Sequence, residues 1–304
     1  MGARHGGWRP SQDPPCDGYT NWAEATLGIG HQHQFRSGQR GAADASTEAG
    51  GPQKLHRPQP TLGAAEYTAE LTRDHPGRFG NFVSLPLPDV DASLEEIAFA
   101  YDELEADGVA LLTHTHGVYL GDQRLEPVFA ELDRRRAVVF LHPTSPVGWE
   151  QSALGRPRPM VEYIFDTART VTDLVMAGIV TRYPRIQVIV PHCGGAVPVL
   201  ADRINEFMRL FLPSENTPAK DAVQQLRGLY YDMAGTGFPR QVPALLKLVD
   251  PDRVLFGSDY CWTPPPLADA HIAAIDAAES PVEKTTWRSL TTANAQRLFP
   301  GTAR

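Results

Sequence analysis

The sequence predicts an α/β fold, a (βα)8 barrel of the TIM type, and three observations point to it. Short apolar runs alternate with amphipathic helical patterns, as expected for βα units that build a parallel sheet. Three of these runs stop at a side chain that can bind a metal or carry a proton: His142, His192 and Asp259. The carboxyl ends of barrel strands are where catalytic residues lie. A doubly wound sheet is the alternative architecture, although no glycine-rich dinucleotide or phosphate motif is present.

Length and composition favour one large globular domain. The chain has 304 residues, of which 42% are hydrophobic and 21% charged, enough for a sizeable core. Its formal net charge of -8, without a basic stripe, argues against nucleic acid as a partner. No apolar stretch approaches the ~20 residues of a membrane span, and the first residues lack the apolar core of a signal peptide. Three cysteines without metal-type spacing fit a reducing, cytoplasmic setting.

Residues 1–65 form an atypical segment, for which we predict poor order. The segment is rich in Gly, Gln, Ser and Pro and has no helix or strand period, so it cannot bury enough apolar surface to offset chain entropy. Its one metal-type pattern is His31-Gln32-His33, because residues two apart on a strand face the same way. The preceding residues, 27–30, are a poor strand with two glycines. Two interpretations stay open: metal ligands, or exposed histidines in a loose segment.

Residues 66–304 carry the barrel pattern. Its first elements are a predicted helix over 67–75 and a strand over 78–85. A second helix is capped by Asp91-Ala92-Ser93 and ended by Gly108. A strand over 109–113 follows, and then a helix with apolar residues three and four apart leads into the strand that ends at His142. The apolar residues of that helix are Leu125, Val128, Phe129 and Leu132.

The unit repeats through the rest of the chain. A helix over 166–183 precedes the strand that leads to His192, and a helix over 198–211 precedes a strand that ends near Asp232. A helix marked by Val242, Leu245, Leu246 and Val249 precedes the strand 254–258, and a closing helix covers 292–299. Six βα units are therefore predicted, and the two units that an eightfold barrel has at its amino end are missing or divergent.

The residues at the strand ends indicate a metal site. Imidazole and carboxylate ligands together suit Zn²⁺ or a similar divalent ion, and a catalytic site has about three protein ligands with one position open. Asp232 also ends a strand, but its turn can use the carboxylate for backbone hydrogen bonds alone, so we leave it out of the site. Cys193, beside His192, is interpreted as a small residue that fills the turn in preference to a nucleophile.

Six motifs between about residues 67 and 300 together resemble a known family. They are Phe140-Leu141-His142-Pro143, Arg182-Tyr183-Pro184, Val190-Pro191-His192-Cys193-Gly194-Gly195, Leu200-Ala201-Asp202-Arg203, Leu255-Phe256-Gly257-Ser258-Asp259-Tyr260 and Asn294-Ala295-Gln296-Arg297-Leu298-Phe299. This set resembles the amidohydrolase-related family, in the branch of the aminocarboxymuconate-semialdehyde, 6-methylsalicylate and dihydroxybenzoate-type decarboxylases.

The resemblance implies a metal-dependent barrel in which His142 and Asp259 bind the metal. It also implies that His192 acts as acid or base on substrate or water, with Asp259 as a second proton carrier. The run Thr113-His114-Thr115-His116 holds no lysine, so no carbamylated lysine can bridge two metals there. We therefore predict one divalent ion, Zn first with Mn as the alternative.

Three functions follow as hypotheses. The first is a metal-dependent carboxy-lyase acting on a small aromatic or unsaturated carboxylic acid, which is then the expected partner. The second is a metal-dependent hydrolase on the same frame. The third is an inactive barrel remnant, because the family opens with a strand ending in His-x-His or Glu-x-His that residues 1–65 do not show. A homodimer is left open.

Overall fold

The computed structural model describes residues 59–211, 221–260 and 262–300, with side chains from Ala65 onward. The strands in chain order are β1 (Phe82–Ser84), β2 (Gly108–Leu112), β3 (His114–Thr115), β4 (Val118–Tyr119), β5 (Val138–His142), β6 (Gln187–Val190), β7 (Tyr230–Asp232) and β8 (Val254–Leu255). The helices are α1 (Gln59–Asp74), α2 (Val90–Asp102), α3 (Glu126–Arg135), α4 (Trp149–Ser152), α5 (Arg158–Met176), α6 (Ile179–Arg182), α7 (Val197–Phe211), α8 (Ala222–Arg227), α9 (Val242–Leu245), α10 (Pro265–Ala277) and α11 (Trp287–Leu298).

The main sheet has six strands in the order β1-β2-β5-β6-β7-β8, and every neighbouring pair is parallel. Strand order thus follows chain order without a reversal. A doubly wound sheet reverses its order at a switch point, so this topology is that of a barrel, as predicted. The remaining two strands, β3 and β4, form a short antiparallel hairpin that follows β2.

Alternate residues of the strands contribute to two different cores. On β5, Val139 and Leu141 belong to the main core shared with the helices, whereas Val138 and Phe140 belong to an inner cluster. This alternation is the period of two that a strand buried on both faces requires. The end of α11 completes the inner cluster, because the Phe299 ring meets that of Phe82 on β1 edge to face at 5.8 Å.

The helices bury the faces that their periodicity predicts. On α3, Val128, Phe129 and Leu132 are buried, and α5 buries Val171 and Leu174 among others. The helix predicted over 166–183 is in fact two helices, α5 and α6. Gly178 separates them with φ 73°, a left-handed conformation that ends a helix.

Other predicted element boundaries are also wrong. The cap of α2 is Asp89, not Asp91, since the Asp89 carboxylate accepts the N–H of Ala92 at 3.0 Å. Helix α2 ends at Asp102, and Gly108 begins β2 instead of ending the helix. The helix predicted from residue 242 is only the short α9, which follows a single π-type turn over Gly237–Gln241.

Helix α1 begins at Gln59, inside the segment predicted to be atypical. Residues 1–58, with His31 and His33, lie outside the described residues. Within the described ranges, no helix is both long and apolar enough to cross a membrane.

Candidate active site

Parallel pairing brings the predicted site residues to one edge of the sheet. His142 is the last residue of β5 and pairs in register with Leu112 of β2. His192 follows β6 by two residues, Asp232 ends β7, and Asp259 lies four residues beyond β8. Because all four strands run the same way, these side chains share the carboxyl edge, where barrels carry their chemistry.

The chain turns sharply at His192. Its φ is 56° and that of Cys193 is 55°, so two consecutive non-glycine residues are left-handed. Gly195 closes the turn by donating its N–H to the His192 carbonyl at 2.9 Å. A Cβ at Gly195 would stand 2.5 Å from the Ile164 carbonyl oxygen, which explains the glycine at this point of the motif. Cys193 is buried in the main core, in keeping with a packing role.

His192 and Asp259 form the central pair of the site. His192 Nε2 lies 3.8 Å from Asp259 Oδ2, an ion-pair distance when the imidazole is protonated and too long for a hydrogen bond. Burial lowers the pKa of His192, but the carboxylates of Asp259 and Asp232 outweigh it, so the net shift of that pKa is upward. Its other ring nitrogen, Nδ1, is buried and has no hydrogen-bond partner among the described residues. The arrangement suits a group that holds and releases a proton.

Asp232 belongs to the site although we did not assign it from the sequence. Its side chain is 3% exposed, and Oδ1 accepts the backbone N–H groups of His192 at 2.8 Å and Ala234 at 2.9 Å. Burial raises the pKa of Asp232, and the nearby His192 partly offsets that rise. The bond to Ala234 is the turn-capping role expected from the sequence, whereas the bond to His192 joins two loops. Only the sheet pairing, which the sequence does not display, brings these loops together.

A second polar network supports the same edge next to His142. The Thr113 backbone N–H donates to the His142 carbonyl at 3.0 Å, and the Thr113 hydroxyl donates to the buried Asp166 of α5 at 2.5 Å. Asp166 also accepts from the Tyr119 hydroxyl and from Arg169, both at 2.6 Å. Burial and the neighbouring Asp166 raise the pKa of Tyr119 to about 12. The network fixes the β3–β4 hairpin and the end of β2 onto α5.

Both ring nitrogens of His114, in the β3–β4 hairpin, are hydrogen-bonded to backbone groups. Its Nδ1 accepts the Gly117 N–H at 3.2 Å, so Nε2 carries the hydrogen and donates to the Ser145 carbonyl at 2.9 Å. Both ring nitrogens are therefore used, and His114 is not available as a metal ligand.

The donor set fits a divalent metal in part. His142 and Asp259 offer an imidazole and a carboxylate at the same edge, the ligand types that Zn²⁺ and Mn²⁺ take. Among the described residues, however, no three His, Cys, Asp or Glu side chains come together as a metal-binding group. Those residues by themselves therefore show no complete three-ligand site.

Comparison with known proteins confirms the resemblance read from the motifs. A family model described as amidohydrolase matches residues 39–304. A 6-methylsalicylic acid decarboxylase of Penicillium expansum is 35% identical over 238 residues, covering 77% of this chain and 73% of that protein. A 6-methylsalicylic acid decarboxylase of Aspergillus aculeatus is 37% identical over 193 residues, covering 61% of this chain and 58% of that protein. The chain thus spans between 58% and 73% of the length of these two relatives.

Solved structures agree on the fold. A crystal structure described as amidohydrolase II superposes with a TM-score of 0.73 at 29% identity, covering 78% of this chain and 76% of that chain. A dihydroxybenzoic acid decarboxylase from Polaromonas, with bound manganese and the inhibitor 2-nitroresorcinol, gives a TM-score of 0.68 at 20% identity, covering 80% and 75%. The second likeness is one of fold alone. The relatives are thus named as decarboxylases of aromatic acids, and a structural neighbour holds a divalent metal.

Proposed function

Because the chain belongs to the amidohydrolase family, we propose that it is a metal-dependent decarboxylase of a small aromatic carboxylic acid. The observation that carries the proposal is the His192–Asp259 pair at the carboxyl edge of the sheet, with Nε2 3.8 Å from Oδ2. Decarboxylation of an aromatic acid needs a proton delivered to carbon, and this pair can hold one. The names of the relatives, 6-methylsalicylic acid decarboxylases, support the substrate class.

The reaction balances with one proton from the chain. The bond between the ring carbon and the carboxylate carbon breaks, CO₂ leaves, and the electron pair stays on the ring carbon, which takes a proton from the His192 imidazolium. Asp259 stabilises that imidazolium before transfer, because an opposite charge at this distance favours the charged form. A divalent ion, when bound, would neutralise the negative charge of the substrate carboxylate and of a neighbouring oxygen.

His142 and Asp259 are the proposed metal ligands of this chain, and His31 and His33, which lie outside the described residues, are the candidates for completing the site. Zn stays our first choice of metal, and the manganese in a neighbouring structure supports Mn as the alternative. The cytoplasmic setting and the homodimer also stay predictions.

The test is release of CO₂ by the purified full chain supplied with Zn²⁺ or Mn²⁺. The substrates for CO₂ release are 6-methylsalicylate, other hydroxybenzoates and an aminocarboxymuconate-type acid. Esters, lactones and amides are tested in parallel for hydrolysis. We expect CO₂ from at least one aromatic acid and a loss of about 10²–10⁴-fold in kcat for His192→Asn. His116→Asn is the matched control, since His116 is an exposed histidine with φ 52° against 56° for His192, and Asn tolerates this conformation.

Other outcomes separate the rival functions. Hydrolysis without CO₂ that needs His192 would replace the decarboxylase with a metal-dependent hydrolase. A third candidate is the inactive remnant, because residues 1–65 lack the clear apolar strand ending in His-x-His or Glu-x-His with which the family opens. No turnover with metal supplied, together with activity in a version given a His-x-His strand, would assign the chain to that class.

A further inference from the structure

The end of β7 holds a carboxylate that no step of the proposed reaction uses. Asp232 lies between the strand that leads to His192 and the strand that leads to Asp259, since β7 pairs with β6 on one side and β8 on the other. Its side chain is 3% exposed. A carboxylate is rarely buried to this extent unless it is bound by donors, so its contacts show what it does.

The contacts of Asp232 reach both neighbouring loops. On the β6 side, Oδ1 accepts the backbone N–H of His192 at 2.8 Å. On the β8 side, the carboxylate lies against Gly257, where an added Cβ would stand 3.0 Å from the Asp232 carboxyl carbon. Gly257 is two residues before Asp259. One buried group therefore contacts the backbone of both loops that supply the proposed proton-transfer pair.

The bond to His192 acts at a strained position. His192 and Cys193 are both left-handed, a conformation that non-glycine residues seldom adopt and that the surroundings must hold in place. A hydrogen bond from an N–H to a carboxylate is stronger than one between neutral groups. The bond therefore fixes the peptide plane before His192, and with it the direction in which the imidazole leaves the chain toward Asp259.

We propose that Asp232 is a positioning residue for proton transfer, which holds the His192 turn and the Asp259 loop at the spacing that the reaction requires. The inference rests on the proposed decarboxylation by His192. It predicts that the acceptor oxygen and the space at Gly257 matter for kcat, while substrate affinity depends on other groups.

The test compares three variants by kcat, KM and metal content. Asp232→Ala removes the acceptor, and we expect kcat to fall about 10²-fold, the scale of a misplacement of about 1 Å, with KM little changed. Asp232→Asn keeps an acceptor oxygen at Oδ1 and should recover kcat to within about tenfold of the wild type. Gly257→Ala crowds the carboxylate without removing any functional group and should also lower kcat.

The matched control is Asp107→Ala at the opposite edge of the sheet. Asp107 is a partly buried carboxylate that also accepts a backbone N–H, that of Asn81, at 2.7 Å. The Asp107→Ala substitution should lower the melting temperature, while kcat stays at the wild-type value. If Asp232→Ala likewise loses only stability, or if Asp232→Asn is as impaired in kcat as Asp232→Ala, the positioning role is overturned.

Hydrogen exchange of the His192 backbone amide tests the inference independently of activity. The His192 amide should be protected in the wild type and in Asp232→Asn, and it should exchange much faster in Asp232→Ala. Unchanged exchange in Asp232→Ala would overturn the inference. A wild-type chain that releases no CO₂ would instead overturn the proposed function, and the exchange result would still decide whether Asp232 holds His192.

Discussion

At the scale of single residues, the backbone at the carboxyl edge is strained where the proposed chemistry lies. His192, Cys193 and Asp259 have φ values of 55–56°, and each such residue costs about 1–3 kcal/mol. Hydrogen bonds offset part of this cost. The N–H of His192 donates to Asp232, and the Asp259 carbonyl accepts the N–H groups of Trp262 and Thr263 at 3.0 and 2.8 Å. The strained conformations are thus stabilised by hydrogen-bonding groups that take no part in the proposed proton transfer.

Asn294 shows that a family motif can have a structural cause. Its side chain is fully buried and donates to two carbonyls, those of Pro251 at 2.9 Å and Val254 at 2.7 Å. Val254 is the first residue of β8, so this amide fastens α11 to the strand that precedes Asp259. Arg297 in turn donates to the Asn294 amide oxygen at 2.5 Å. The Asn294-Ala295-Gln296-Arg297 motif is therefore explained by attachment of the last helix.

Replacing Asn294 should test this attachment. We expect Asn294→Ala to lower the free energy of unfolding by about 2–3 kcal/mol, because two buried carbonyls lose their donor. The measurement is urea unfolding. Gln296→Ala, two residues along the same helix and exposed, is the control and should change stability by less than about 0.5 kcal/mol. Equal unfolding curves for both variants would contradict the role given to Asn294.

At the scale of elements, α2 and α3 are joined by a chain of charges. Glu131 of α3 accepts from Arg134 at 2.6 and 2.7 Å and from Arg135 at 2.7 Å. Arg135 reaches across to Asp102, the last residue of α2, with two bonds of 2.7 and 2.9 Å. The guanidinium of Arg134, and then that of Arg135, lower the pKa of Glu131 to about 2 from 4.5.

This lowered pKa predicts an acid dependence of stability. A carboxyl whose pKa is lower in the folded chain stabilises it above the unfolded value, here 4.5, and loses that contribution as pH falls toward about 2. Because Glu131 is partly exposed, we expect Glu131→Gln to cost only about 1 kcal/mol at pH 7. The deficit should shrink steadily below pH 4.5 in urea unfolding series. A deficit that is constant between pH 7 and pH 3.5 would contradict the prediction, and Glu95→Gln on exposed α2 surface is the control.

Helices and strands could be predicted from the sequence where the local pattern of apolar residues determines them. The strand that ends at His142 is a β-branched and aromatic apolar run, and it forms where the sequence places it. The start of α5 was missed by eight residues, although Pro159 near its first position is a helix-start pattern. Asp232 could not be found in this way. An aspartate after a strand looks the same whether it caps its own turn or holds a neighbouring loop, and only tertiary pairing separates the two.

At the scale of the whole molecule, the six strands act as a frame that gathers distant residues. Strands β5 and β8 are separated in the sheet by β6 and β7, yet the loops after both contribute to the same edge. Residues of the two edge strands, Phe82 and Leu255, share the inner cluster with Phe299 from the end of the last helix. The sheet therefore curves around one inner core. A metal held by His142 and Asp259 would connect loops that are three strands apart.

The metal content of the whole chain is the last prediction. We expect at most one divalent ion per chain, because the end of β2 has no lysine and both ring nitrogens of His114 are already bonded. His142→Ala and Asp259→Ala should each lower the metal content by elemental analysis after dialysis, whereas His192→Ala should keep most of it. Added Zn²⁺ or Mn²⁺ should raise the melting temperature of the wild type more than that of either ligand variant, since an ion that binds only the folded chain stabilises it.

A double variant, with both His31→Ala and His33→Ala, completes the metal measurement. If the double variant loses the metal, the third ligand comes from that pair and the chain holds a complete site. If its metal content equals that of the wild type, His142 and Asp259 bind without them, and the weak binding expected of two ligands supports the inactive remnant. Two tightly held ions per chain would contradict the mononuclear site.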